Sequence, residues 1–74
     1  MQSATTRIRN AADFGRAVRA RRKELGYTQR YVAELTGISA SFISDLENGK
    51  PSAELGRAID LANILGMNVL FSPR

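Results

Sequence analysis

The chain has 74 residues, 43% of them hydrophobic, which suits one small globular domain and excludes a disordered tail. Eleven Lys or Arg against seven Asp or Glu give a net charge of +4, a balance that suits nucleic acid but is also typical of solvated helix faces. The sequence lacks His and Cys and has no glycine run with the spacing of a phosphate-binding loop, so we expect no metal, no cofactor and no catalysis.

Residues 1–9 are small, polar and basic without helical periodicity, and we interpret them as a flexible arm. In the alternative, Arg7 and Arg9 reach a phosphate or the minor groove of DNA. No apolar run approaches the roughly 20 residues of a membrane span, and the N-terminus lacks the apolar segment of a secretory signal. We therefore expect a cytoplasmic protein, associated with the nucleoid if it binds DNA.

A first helix is predicted over about residues 11–25, capped by Asn10 and ended by Gly26. Four apolar residues recur at helical spacing and predict its buried stripe: Phe14, Ala17, Val18 and Leu25. The opposite face carries Arg16, Arg19 and Lys23.

The next stretch, residues 28–50, predicts two short helices joined by a tight turn at Gly37, with the Thr28 and Ser39 hydroxyl groups as caps. Ala33 is small where the helices would cross. The apolar residues of this helix-turn-helix converge inside the corner: Val32, Ile38, Ile43 and Leu46. The short, mostly neutral residues Ala40, Ser41, Ser44 and Asp45 point outward, as a face pressed against another surface would.

A further helix is predicted over about residues 53–65, with Ser52 as its cap. Its apolar stripe consists of Leu55, Ala58, Ile59, Ala62 and Leu65. Leu61 and Ile64 widen this stripe beyond what one small core requires, and we interpret them as a subunit interface. Deeper burial within the protein's own monomer is the alternative.

Residues 67–71 are β-prone. They belong to a C-terminal segment, residues 67–74, that follows the predicted domain of residues 10–66. A single strand leaves its backbone groups unpaired, so we predict that Val69, Leu70 and Phe71 belong to a dimerisation strand that pairs with a second copy. The alternative is an extended tail that frays.

The Thr28-Gln29 pair, the turn at Gly37, and Leu46 to Pro51, which reads Leu-Glu-Asn-Gly-Lys-Pro, resemble the Cro and C1 repressor type of helix-turn-helix, the XRE family. Within it, the short arm and the terminal strand resemble the HipB antitoxin branch. The resemblance implies an all-α, lambda-repressor-like domain of four to five helices, with a short C-terminal β-strand paired across a dimer.

The resemblance also implies a homodimer on a palindromic operator of double-stranded DNA, with half-sites about 10 bp apart. Matched residue by residue, Ala40, Ser41, Ser44 and Asp45 face DNA bases. The residues matched to phosphate contacts are Gln29, Asn48 and Lys50. Arg21 and Arg30 are further candidates for phosphate binding, and the alternative is that they are only solvated. Arg22 and Glu47 match a structural ion pair. Phe42 contacts a thymine methyl or packs against the protein, and packing is favoured because it buries the ring.

The leading hypothesis is a transcriptional repressor, the antitoxin of a pair whose HipA-like kinase toxin binds the dimer. A repressor without a toxin partner is one alternative. A protein-interaction module that keeps the fold without reading DNA is another, because the outward face of the second motif helix is small and nearly uncharged.

Overall fold

Four helices follow one another along residues 5–74, the part of the chain that the computed structural model describes. They are α1 (Ala11–Glu24), α2 (Gln29–Thr36), α3 (Ala40–Glu47) and α4 (Leu55–Ile64). The prediction of an all-α helix-turn-helix domain is confirmed. None of these helices combines the length and the apolar character that crossing a membrane requires.

The first three helices begin at the predicted caps. The side chains of Asn10, Thr28 and Ser39 accept hydrogen bonds from the backbone N–H groups three residues further on, at 2.8, 2.9 and 3.1 Å. At the corner of the motif, Gly37 takes the left-handed conformation with φ of 76°, and its N–H donates to the Ala33 carbonyl. The helix boundaries therefore follow from short-range hydrogen bonding.

The core is formed by side chains from all four helices. Its buried members are Val18, Val32, Ile43, Leu46, Ala58, Leu61 and Leu65. Gly15 brings α1 against α3, because a Cβ there would stand 2.1 Å from the Leu46 carbonyl oxygen. Any larger residue would push the two backbones apart.

The start and depth of α4 correct two predictions. Its cap is the Glu54 carboxylate, which accepts from the Gly56 N–H, so α4 begins two residues after the predicted start and Ser52 lies outside it. Leu55, predicted to be buried, is 68% exposed, whereas Leu61 is fully buried. The subunit-interface role of Leu61 is therefore wrong, because its side chain belongs to the core of the monomer. Ile64 is 49% exposed.

The C-terminal strand is also absent from the chain that the structure describes, where residues 67–74 have no regular secondary structure. A strand needs hydrogen-bonding groups from a neighbour, and no strand pairing forms within the described residues. Pairing with a second copy stays a prediction. Of the predicted N-terminal arm, residues 1–4 lie outside the described residues, and residues 5–9 are exposed and irregular.

Candidate nucleic-acid interface

The outward face of α3 carries only short side chains. Ala40, Ser41 and Asp45 are exposed and Ser44 is half-buried. Phe42, one residue before the buried Ile43, packs against the core, as favoured from the sequence. The face that α3 offers therefore consists of a methyl group, hydroxyl groups and one carboxylate.

Beneath this face, a buried ion pair holds the C-terminal end of α3 to α1. The Arg22 guanidinium donates to both Glu47 carboxylate oxygens, Nε at 2.7 Å and Nη2 at 2.9 Å, and its Nη1 donates to the Tyr27 carbonyl at 2.7 Å. Gln29 adds a third side chain, since its Nε2 donates to Glu47 at 3.0 Å. One carboxylate thus ties together α1, α2 and α3.

The ion pair is charged over the ordinary pH range. Burial alone raises the pKa of Glu47, but hydrogen bonds from Arg22 and Gln29, together with the positive charges of Arg22 and Arg19, outweigh burial and hold that pKa below its usual value. The hydrogen bond to Glu47 raises the pKa of Arg22 in turn. Within the described residues, no buried side-chain nitrogen or oxygen lacks a hydrogen-bond partner.

The residues of the motif that are predicted to bind phosphate lie at the start of α2 and after the end of α3. Gln29 and Arg30 stand in the first turn of α2, before the first α-helical hydrogen bond, from Val32 N–H to the Thr28 carbonyl. Asn48, which is exposed, and Lys50, whose ammonium lies 3.5 Å from the Asp45 carboxylate, follow α3. The hydrogen bond from Gln29 to Glu47 brings the start of α2 to the C-terminal end of α3.

The two predicted phosphate ligands on α2 also have partners within the protein. The Gln29 amide donates to Glu47, so its side chain supports the ion pair. Arg30 lies 3.7 Å from Glu34, but both side chains are well exposed, and such a pair dissociates readily.

Arg21 has its hydrogen-bond partners within the protein, and its assignment to DNA phosphate stays a prediction. Its Nε donates to the Leu65 carbonyl at 2.8 Å, and its Nη1 lies 3.4 Å from Glu24. The guanidinium therefore satisfies a carbonyl at the C-terminal end of α4, on a different side of α1 from Arg22. Adjacent helix positions point about 100° apart, which explains why neighbouring arginines have different roles.

The apolar residues predicted for dimerisation lie away from the α3 face. Val69 is 42%, Leu70 81% and Phe71 98% exposed. This C-terminal segment lines a broad groove together with residues 5–9, the outer edge of α1 and part of α4, and no residue of α2 or α3 lines it. The candidate DNA face and the candidate dimer surface are thus separate.

Sequence reasoning missed the close contact at Gly15, the hydrogen bond from Gln29 to Glu47 and the effect of Arg19 on the pKa of Glu47. The signal for Gly15 was available, because a glycine inside an amphipathic helix costs stability and indicates close backbone approach. Glutamine in a first helical turn gives no sign of whether its amide faces solvent or a carboxylate. Arg19, beside Glu47, stood in a basic run that looked like solvated surface.

Comparison with known proteins agrees with this architecture. The helix-turn-helix family HTH_3 matches residues 18–71. An uncharacterized HTH-type transcriptional regulator of Sinorhizobium fredii, y4mF, is 40% identical over 63 residues, which make up 85% of this chain and 83% of that protein. The competence pilus inhibition repressor of Acinetobacter baylyi is 54% identical over 37 residues, half of this chain but only 34% of that protein.

Two solved structures share the fold. A complex of a single-substitution variant of HipB with an O2 20mer superposes with a TM-score of 0.86 at 21% sequence identity, covering 95% of this chain and 97% of the HipB chain. A complex of HipB with an O4 20mer gives 0.84 at 22% identity, covering 93% and 97%. At this level of identity the likeness concerns the fold alone.

Proposed function

Because the chain belongs to the helix-turn-helix family HTH_3, whose relatives include transcriptional regulators, we propose that it is a sequence-specific DNA-binding repressor. In this proposal α3 enters the major groove with Ala40, Ser41, Ser44 and Asp45 toward the bases. The backbone amides of the α2 N-terminus, with Arg30, Asn48 and Lys50, bind phosphate on either side.

One observation carries the proposal: the exposed, mostly neutral face of α3 is fixed from behind by the Arg22–Glu47 ion pair and by the Gln29 hydrogen bond to Glu47, and Asn48 and Lys50 follow it directly in the chain. A helix fixed in this way keeps its side chains in register with base edges, and the flanking donors set its depth in the groove. Alanine and serine read bases weakly, so operator shape carries much of the specificity.

The protein acts as a homodimer in this proposal. Ile64, Val69, Leu70 and Phe71 offer the exposed apolar surface that a second copy would cover. Two copies related by a two-fold axis place two α3 helices in successive major grooves, so the operator is palindromic with half-sites about 10 bp apart.

A salt series tests DNA binding. Anisotropy titrations compare a labelled 30-bp duplex from upstream of the protein's own gene with a shuffled duplex of the same composition. We expect tighter binding to the upstream duplex and a steep loss of affinity with salt. Lys50→Ala should lower the salt slope by about one per protomer, because one phosphate contact is lost.

The absence of any preference for the upstream duplex would contradict the repressor proposal and favour a protein-interaction module that keeps the fold. Dimerisation is tested separately by sedimentation velocity. Deletion of residues 68–74 should give a monomer at low micromolar concentration, and a truncated protein that stays dimeric would exclude the tail as the main contact.

We further propose that the repressor is the antitoxin of a HipA-like kinase. The fold shared with HipB over nearly the whole chain supports this assignment. The test is to co-express the chain with the product of the adjacent reading frame and to measure complex formation by size-exclusion chromatography. If that frame encodes no kinase, or if its product does not bind, the chain is a repressor without a toxin partner.

A further inference from the structure

One face of α1 lies against the end of α3 and the turn that follows it. A Cβ on Gly15 would stand 2.1 Å from the Leu46 carbonyl oxygen and 2.9 Å from that of Glu47. Near the start of α1, a Cβ on Gly49 would stand 2.9 Å from the Cα of Ala12. Arg22, near the other end of α1, binds the Glu47 carboxylate. These contacts define the side of α1 that borders the candidate DNA interface.

Arg19 lies on this side of α1, four residues after Gly15 and three before Arg22. Residues at these spacings are neighbours on a helix surface. Unlike Gly15 and Arg22, Arg19 is exposed, so its side chain extends past the edge of the contact into solvent. Its charge also helps lower the pKa of Glu47 against the effect of burial, which agrees with a position beside the C-terminal end of α3.

The guanidinium of Arg19 is also free to bind an external anion. Six other cations in residues 5–74 lie within 4.0 Å of a carboxylate: Arg16, Arg21, Arg22, Arg30, Lys50 and Arg57. Arg19 has no such partner among the described residues. A cation that is exposed, unpaired and beside the end of α3 suits a DNA phosphate better than an internal role.

We propose that Arg19 binds the DNA backbone and extends the interface from the helix-turn-helix onto α1. This inference rests on the proposed DNA-binding function. Because α1 lies behind α3, Arg19 would meet a phosphate at the edge of the groove rather than a base. It therefore adds affinity for any duplex and leaves the preference between sequences nearly unchanged.

The test compares Arg19→Gln with Arg16→Gln in the 74-residue chain, using the upstream and shuffled 30-bp duplexes. Both variants lose one positive charge from α1, but Arg16 pairs with Asp13 and points about 100° away from Gly15, which lies against α3. For Arg19→Gln we expect the salt slope to fall by about one per bound protomer on both duplexes. Arg16→Gln should leave the slope nearly unchanged, and Arg19→Lys should restore it.

Equal slopes for the two glutamine variants would overturn the inference, since the charge of Arg19 would then act only as part of the net charge. The inference would also be overturned if Arg19→Gln changed the preference between the two duplexes without changing the salt slope. Thermal unfolding shows whether both variants keep the wild-type fold, and Arg19→Ala provides a second substitution. If the wild type binds neither duplex, the proposed function fails and the inference with it, whereas wild-type binding with an unaltered Arg19→Gln slope removes the inference alone.

Discussion

Replacing Arg22 with Met should remove a large part of the stability of the fold. The substitution keeps most of the aliphatic stem but leaves the Glu47 carboxylate, whose side chain is 2% exposed, with Gln29 as its remaining side-chain donor. Breaking a buried ion pair on one side costs about 3–5 kcal/mol, because the other charge stays buried without its partner. An exposed pair costs about 1 kcal/mol or less.

This loss is large on the scale of the molecule. At about 0.05–0.15 kcal/mol per residue, a domain of this length has a free energy of unfolding of roughly 4–11 kcal/mol. For domains of this size, each kcal/mol lowers Tm by about 4–8 °C, so Arg22→Met should lower Tm by at least about 12 °C. Urea and thermal unfolding followed by circular dichroism, at one fixed protein concentration, measure both quantities.

Arg16→Met is the matched control, because Arg16 is in the same helix and pairs with Asp13 at an exposed site. It should change the free energy of unfolding by no more than about 0.5 kcal/mol. Combining Arg22→Met with Glu47→Leu should recover much of the loss, since two apolar side chains leave no buried charge. A loss below about 1 kcal/mol for Arg22→Met, or a double variant no more stable than the single one, would contradict the predicted cost of leaving Glu47 charged and buried without its partner.

Three further predictions concern stability and are measured by the same unfolding experiments. Gly15→Ala should lower the free energy of unfolding by about 3 kcal/mol or more, because the new Cβ would meet backbone atoms. Gly56→Ala should lower it by less than about 1 kcal/mol, because its Cβ would meet only the movable Glu54 carboxylate. Similar losses for the two variants would contradict the close contact of α1 and α3. Leu61→Ala should cost about 2–5 kcal/mol, and its full cost should persist in the tail-truncated chain if Leu61 packs within the monomer. Because the folded-state pKa of Glu47 is depressed, its stabilising contribution should be complete above the unfolded pKa of about 4.3 and be lost as pH falls through the folded value. Glu47→Gln should therefore show a shallower loss of stability as pH falls below about 4.3, and an unchanged acid profile would be inconsistent with the depressed pKa.

The helix-turn-helix could be predicted from the sequence because its boundaries depend on neighbouring residues. Asn10, Thr28 and Ser39 each cap the helix that follows, and Gly37 reverses the chain through its own backbone conformation. Such interactions span a few residues and leave a local pattern. The predicted start of α4 was wrong because both Ser52 and Glu54 have side-chain oxygens that can cap a helix. The sequence pattern does not show which of the two is used.

The missed positions depend on contacts between distant segments. Arg21 donates to a carbonyl 44 residues away, and Gln29 binds a carboxylate 18 residues away. Both side chains carry N–H donors that could bind a phosphate instead of the partner observed here, so their chemistry alone does not identify the partner. The wide apolar stripe of α4 indicated burial, but whether Leu61 faced its own core or a second copy depended on how α4 rotates against α1.

The contact between Arg21 and the Leu65 carbonyl bears on how two copies would find one another. Gly66 follows with φ of 81°, and a Cβ there would stand 3.1 Å from the Arg21 guanidinium, so the direction in which the chain leaves α4 is set by α1. Ordering one residue costs roughly 1–2 kcal/mol of backbone entropy. For Gly66 that ordering happens while the monomer folds. If two copies associate through this segment, as proposed, they would begin with the direction of the chain after α4 already fixed, and less binding energy would be lost to conformational restriction.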